Sequence, residues 1–138
     1  MRQYPKNGTE TPSRAEQDFE QLENFAFNPH IVQLRGLFEN EKNHFLAMEF
    51  LVGGNLQTFI EQRKELERPL TEPQIQRIYH HMLQATNSLH VMGLIHRDLR
   101  PSKFLLTSHD PNDLEVKLGC VGISAGECIQ RVKESRQT

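Results

Sequence analysis

Residues 94 to 106 read Leu-Ile-His-Arg-Asp-Leu-Arg-Pro-Ser-Lys-Phe-Leu-Leu, a polar centre between apolar flanks. Asp98 offers one carboxylate, and His96, Arg97, Arg100 and Lys103 place basic groups around it. Pro101 lacks a backbone donor and rules out a helix through the centre, so the stretch is a loop. Leu99 and the run Phe104-Leu105-Leu106 can be buried on either side and hold that loop rigid. A carboxylate beside basic groups on a fixed loop suits proton abstraction or the handling of phosphate. The competing interpretation is a polar turn between helix and strand with an ordinary surface aspartate.

Elements on both sides must position this loop. Thr71-Glu72-Pro73-Gln74 spells a capping box with proline in the first turn, where its missing amide costs nothing. A long helix is expected from there to about His90, with Ile75, Ile78, Tyr79, Met82, Leu83, Ala85 and Leu89 on its apolar face and Gly93 at its end. Beyond the loop, Phe104-Leu105-Leu106 reads as a short strand. Ser108 to Asp113 is a dense turn signal, and the alternation from Leu114 to Leu118 pairs back as a strand. Upstream, Pro29 to Phe38 and Phe45 to Leu51 read as an antiparallel hairpin across the polar turn Glu39 to Asn43. Val52-Gly53-Gly54-Asn55 breaks the run, and Leu56 to Arg63 suits a short helix. Ser13 to Glu16 fits another capping box, opening a helix to about Ala26 with Phe19, Leu22 and Phe25 on one face. Residues 1 to 12, with Pro5, Gly8 and Pro12, read as a polar tail or loop. From Gly122 onward there is no hydrophobic period.

The bulk numbers suit one soluble domain: 138 residues, 36% hydrophobic and 25% charged. A net charge of −2 makes no electrostatic case for nucleic acid or an anionic membrane. No apolar run matches a signal peptide or a bilayer span, so the expected location is cytoplasmic. Cys120 and Cys128 form no C-x-x-C pair and read as free thiols. His30, His44, His80, His81, His90 and His109 show no ligand spacing with carboxylates or thiols, and no zinc site is expected.

Taken with its neighbours, the loop resembles the catalytic loop of eukaryotic protein kinases, H-R-D-L-x-x-x-N. His96-Arg97-Asp98-Leu99 match in order, and Arg100-Pro101 is similar to the Lys-Pro pair of the serine/threonine class. Asn28-Pro29-His30-Ile31-Val32-Gln33-Leu34 looks like the entry to the fourth strand of that fold. Met48-Glu49-Phe50-Leu51-Val52-Gly53-Gly54-Asn55-Leu56 looks like its gatekeeper and hinge. Val116-Lys117-Leu118-Gly119-Cys120-Val121-Gly122 looks like the strand that ends in Asp-Phe-Gly. Ser88 stands where many relatives carry a larger side chain. The run from Gly122 to Val132 is faintly similar to the pseudokinase region of Janus kinases. The resemblance covers roughly residues 13 to 123 and implies an α+β, partial protein-kinase-like fold. Residues 13 to 52 would be a remnant of the N-lobe, with hairpin and C-helix. Residues 53 to 123 would hold the first helices and catalytic loop of the C-lobe. A flexible tail (1 to 12) and an irregular tail (124 to 138) would flank them.

The resemblance also implies roles. Asp98 would orient or deprotonate a substrate hydroxyl, Arg100 would sit near the transferred phosphate, and His96 and Arg97 would build the loop. Met48 would border the back of an adenine pocket. The backbone of Glu49 and Leu51 would bond the adenine edge, and Leu105 would form the floor. Leu34, Leu56 and Phe104 read as core. ATP is the implied cofactor and a protein the implied partner. Two metal-holding positions depart from the family pattern. Lys103 stands where an Asn would hold magnesium, and an ammonium has no lone pair to give. Cys120 stands where an Asp would hold it, and a thiol is a poor magnesium ligand. Val121 replaces the Phe. The sequence contains no G-x-G-x-x-G, no V-A-I-K and no A-P-E string. Lys6 is the only lysine before the first helix, and Glu16, Glu20 and Glu23 compete for the helix glutamate. The expectation is a truncated kinase-like domain impaired in catalysis, with magnesium binding counted against. The alternatives are a fragment of an active kinase and a nucleotide-free interaction module on the same scaffold.

Overall fold

The computed structural model describes residues 2–6, 16, 19–20, 23–119 and 130–131. Strands β2 (Leu34–Glu39) and β3 (Asn43–Met48) form the antiparallel hairpin that the sequence predicts, each shorter than the apolar run suggests. Asn40 makes the turn, its Oδ1 accepting the amides of Lys42 at 2.9 Å and Asn43 at 2.7 Å. Such local bonding is why asparagine favours turns.

Strand β1 (Arg2–Pro5) pairs antiparallel with the other side of β3, giving the order β1-β3-β2. These residues fall in the stretch read as a polar tail. A strand edge offers backbone donors and acceptors to any extended chain, whatever its composition, and proline is tolerated at such an edge. Lys6 follows, its amide on the Lys42 carbonyl at 3.0 Å and its Nζ 3.0 Å from Glu39. Glu16, Phe19, Glu20 and Glu23 are helical, within the helix expected there. Ser13 and Leu22 lie outside the described residues.

Helix α1 (Leu56–Glu65) is capped by Asn55, whose Oδ1 accepts the Thr58 amide at 2.9 Å. Helix α2 (Glu72–Val91) opens with the expected capping box. The Thr71 amide donates to Gln74 Oε1 at 2.9 Å, and the Gln74 amide to Thr71 Oγ1 at 3.4 Å. Gly93, at φ +74°, ends it in the left-handed conformation that glycine adopts most readily. The buried stripe of α2 is narrower than its apolar face. Ile78, Ala85 and Leu89 are buried and Met82 packs on the core, but Ile75, Tyr79 and Leu83 are more than half exposed.

Strand β4 (Leu94–Ile95) pairs with β7 (Gln130–Arg131), so part of the stretch read as an irregular tail is strand. Strands β5 (Phe104–Leu106) and β6 (Val116–Leu118) form the second hairpin, whose mouth is held by Thr107 and Glu115. One core joins the two hairpins. Leu46 from the first, and Ile31 just before it, pack in one cluster with Leu89, Phe104, Leu106 and Leu118. At the joint the Leu118 amide donates to the His30 carbonyl at 2.8 Å, and the Val32 amide to the Leu118 carbonyl at 3.1 Å. Gly53 and Gly54 run against β5: the Gly53 amide donates to the Leu106 carbonyl, and the Leu106 amide to the Gly54 carbonyl. A Cβ on Gly53 would sit 2.5 Å from the Ser108 oxygen, so only glycine fits there. The fold is α+β, as the sequence predicts.

Candidate functional site

The loop after β4 is anchored by His96, which is 1% exposed and accepts the Asp98 amide on Nδ1 at 3.2 Å. Arg97 turns the chain at φ +75°, a left-handed conformation that costs a non-glycine residue about 1 kcal/mol or more. That reversal swings Asp98 back over the buried histidine. Leu99 was expected to bury and is instead exposed. Pro101–Lys103 form a 3₁₀ turn in which the Lys103 amide donates to the Arg100 carbonyl at 2.9 Å. The turn carries two cations to one carboxylate. Arg100 Nη2 lies 3.1 Å and Lys103 Nζ 3.8 Å from Asp98 Oδ2.

The second group of candidate residues follows β3. Met48 ends the strand, half-buried against the core. The Glu49 amide donates to the Gln33 carbonyl at 2.9 Å, so of its two backbone groups the carbonyl is the one not used in that bond. The Glu49 carboxylate turns into the protein, accepting from the Gln33 amide at 2.9 Å and from Lys117 Nζ at 2.8 Å. Leu51 is half-buried and its carbonyl accepts the Gly54 amide at 3.4 Å.

A continuous set of contacts links the two groups. Lys117 faces Leu105 across the β5–β6 register. Leu105 packs so closely on Gly119 that a Cβ there would lie 2.7 Å from Leu105 Cδ1. The Gly119 amide donates to the Lys103 carbonyl at 2.9 Å. Glu49, Lys117, Leu105, Gly119, Lys103 and Asp98 are thus joined in sequence. Phe104 and Leu106 are buried behind Leu105. Cys120, Val121 and Gly122 lie outside the described residues.

Three residues make tertiary contacts that the sequence did not reveal. Gln33 organises the turn before β2: its amide nitrogen donates to the Asn28 and Ile31 carbonyls at 2.8 and 3.0 Å, and its Oε1 accepts the Phe27 amide. Ser88, the small residue in a large residue's place, accepts from Asn28 Nδ2 at 2.8 Å and ties that turn to α2. Lys117 is the partner of Glu49. The only sequence signal for it was a charge in an otherwise alternating strand. His30 and His81 also meet, with ring centroids 5.1 Å apart. His81 Nδ1 accepts the Val116 amide at 3.2 Å.

Chemically, the loop can accept a hydroxyl proton on Asp98 and attract an anion with Arg100 and Lys103. It does not suit magnesium. The residue beside the carboxylate brings a charge of the ion's own sign, and a hard dication needs oxygen ligands. Among the described residues no three His, Cys, Asp or Glu side chains are grouped to hold a metal.

A sequence model of the protein kinase domain matches residues 2–134. Human serine/threonine-protein kinase 10 is 37% identical over 98 residues, which cover 71% of this chain and 9% of that protein. Calcium-dependent protein kinase 22 of Arabidopsis thaliana is 29% identical over 118 residues, 83% of this chain and 24% of its own length. Cell cycle protein kinase DBF2 of Candida albicans is 35% identical over 107 residues, 77% of this chain and 14% of its own length. The chain spans 9 to 24% of the length of these relatives. It belongs to the protein kinase domain family, as part of such a domain, and its likeness lies with the serine/threonine class.

Proposed function

We propose that this domain keeps the scaffold of an ATP-dependent protein kinase but has lost magnesium-dependent phosphoryl transfer, as a pseudokinase does. The observation that carries the reading is the Lys103 ammonium 3.8 Å from the Asp98 carboxylate, at the position where the family holds a metal-binding asparagine. Phosphoryl transfer depends on positioning and on metal ions that neutralise the developing charge. Losing one preorganised electrostatic stabiliser costs about 3 to 4 kcal/mol of barrier, or about 10²- to 10³-fold in rate. Cys120, at the position of the metal-binding aspartate, would add a second loss. Both changes are interior to the sequence, so the reading does not depend on how far the chain extends. In this reading Met48, the Glu49 carbonyl, Leu51 and Leu105 surround an adenine ring. Asp98 faces a protein partner's hydroxyl, and Arg100 lies near the phosphate.

A second reading, an interaction module that needs no nucleotide, is supported by the exposed stripe Ile75, Tyr79 and Leu83 on α2. The test of the first is transfer of the γ-phosphate of labelled ATP to a generic protein acceptor with magnesium present. The expected result is no metal-stimulated transfer. A magnesium-dependent rate that Asp98→Asn abolishes would overturn the reading.

A further inference from the structure

We infer that Lys103 turns the Asp98 loop into a metal-free phosphate subsite, where its ammonium and the Arg100 guanidinium take the polyphosphate of a nucleoside triphosphate directly. The inference rests on the loss of magnesium use proposed above and adds how the ligand would be held.

Charge is the first argument. Asp98 contributes one negative charge, and Arg100 and Lys103 contribute two positive charges within 3.8 Å of it, a surplus of one. A dication approaching that carboxylate meets two like charges, whereas a polyanion meets the surplus.

Geometry is the second. At 3.1 Å the Arg100 guanidinium sits close to hydrogen-bond distance of Asp98, and at 3.8 Å the Lys103 ammonium is beyond it. Among the described residues this is the one ion pair of Lys103. An ammonium carries three donors. Two other lysines differ: Lys117 is held by Glu49 at 2.8 Å, and Lys6 by Glu39 at 3.0 Å.

Placement is the third. The Lys103 backbone is fixed on both sides, its amide on the Arg100 carbonyl and its carbonyl on the Gly119 amide, each at 2.9 Å. Its side chain is 20% exposed, so an anion meeting it there is screened less than on an open surface. A guanidinium and an ammonium side by side can donate charge-assisted bonds to two oxygens of one phosphate or to neighbouring phosphates.

The experiment is calorimetric titration of the protein with ATP in EDTA and in magnesium, with tripolyphosphate and adenosine as separate ligands. ATP is expected to bind in EDTA at least as tightly as with magnesium. Tripolyphosphate should compete with it more strongly than adenosine does. Lys103→Ala should weaken ATP by about tenfold, the scale of one hydrogen bond to a charged group. Lys103→Arg, which keeps the charge, should retain binding and so controls for folding. Binding that requires magnesium, that survives Lys103→Ala unchanged, or that is absent in EDTA would overturn the inference. Those failures leave the proposed loss of transfer standing, because that reading falls only to measured phosphotransfer.

Discussion

Lys117 Nζ lies 2.8 Å from Glu49 Oε1, with the two side chains 13 and 14% exposed. The bond ties the segment after β3 to β6, across 68 residues of sequence. Burial alone would raise the Glu49 pKa. The Lys117 hydrogen bond, the Gln33 amide and the charges of Lys117 and Arg35 outweigh it and hold the carboxyl below its ordinary value of 4.5. Lys117→Met leaves a mostly buried carboxylate with one amide partner. It should cost about 2 kcal/mol of unfolding free energy, read from denaturant titration at neutral pH. Adding Glu49→Gln should recover part of that loss. Because the folded pKa is depressed, the pair's contribution is full above the unfolded value and fades as pH falls through the folded one. A Lys117→Met effect that stays constant from neutral pH to well below 4.5 would contradict this account.

A second pH effect comes from His30 and His81. Burial is the main cause that lowers both from 6.5. Glu115 opposes it for both, and His80 adds to it for both. Lys117 adds for His30, and His30 and Arg77 add for His81. The unfolded chain therefore binds protons that the folded chain refuses. Stability is full above 6.5 and is lost as pH falls below it. Protonation at His81 Nδ1 would also remove the acceptor of the Val116 amide. The melting temperature should fall between about pH 7.5 and 5.5, the range in which histidine changes charge. His30→Gln with His81→Gln should flatten that slope. An equal slope in the doubly substituted protein would refute the assignment.

The parts legible in the sequence were those written locally. The capping box at Thr71 and Gln74, the glycine stop at Gly93, the turn at Asn40 and the loop around Asp98 each depend on neighbours within a few residues. What was not legible depends on partners far away in the chain. β1 exists because β3 has an open edge, which composition does not reveal. The period of α2 gave the direction of its apolar face but not its covered width. Ile75, Tyr79 and Leu83 are therefore exposed despite fitting the pattern. Leu99 fitted a buried flank, yet the reversal at Arg97 leaves it outside. Glu49 was read for its backbone, while its side chain has the closer tertiary role.

The two adjacent glycines after the first hairpin should respond differently to a methyl group. A Cβ on Gly53 would meet Ser108 and Leu106 at 2.5 and 2.6 Å, backbone atoms that cannot swing away. A Cβ on Gly54 meets nothing within 4 Å, and its φ of +69° sets the penalty. Gly54→Ala should cost about 1 kcal/mol. Gly53→Ala should cost more, about 3 kcal/mol, because strands must part to admit it. Equal melting temperatures for the two variants would show that Gly53 is not clamped against β5.

Magnesium exclusion is tested most directly with Mn²⁺, a paramagnetic stand-in for Mg²⁺, by the relaxation of water protons as the protein is titrated into Mn²⁺ and ATP. An ion captured between nucleotide and protein relaxes water protons more strongly than the free complex does. With Lys103 beside Asp98, the protein should leave the relaxation unchanged, and Lys103→Asn together with Cys120→Asp should introduce an enhancement. An enhancement that saturates with the unsubstituted protein would contradict the claim that this loop has exchanged a metal site for a fixed cation.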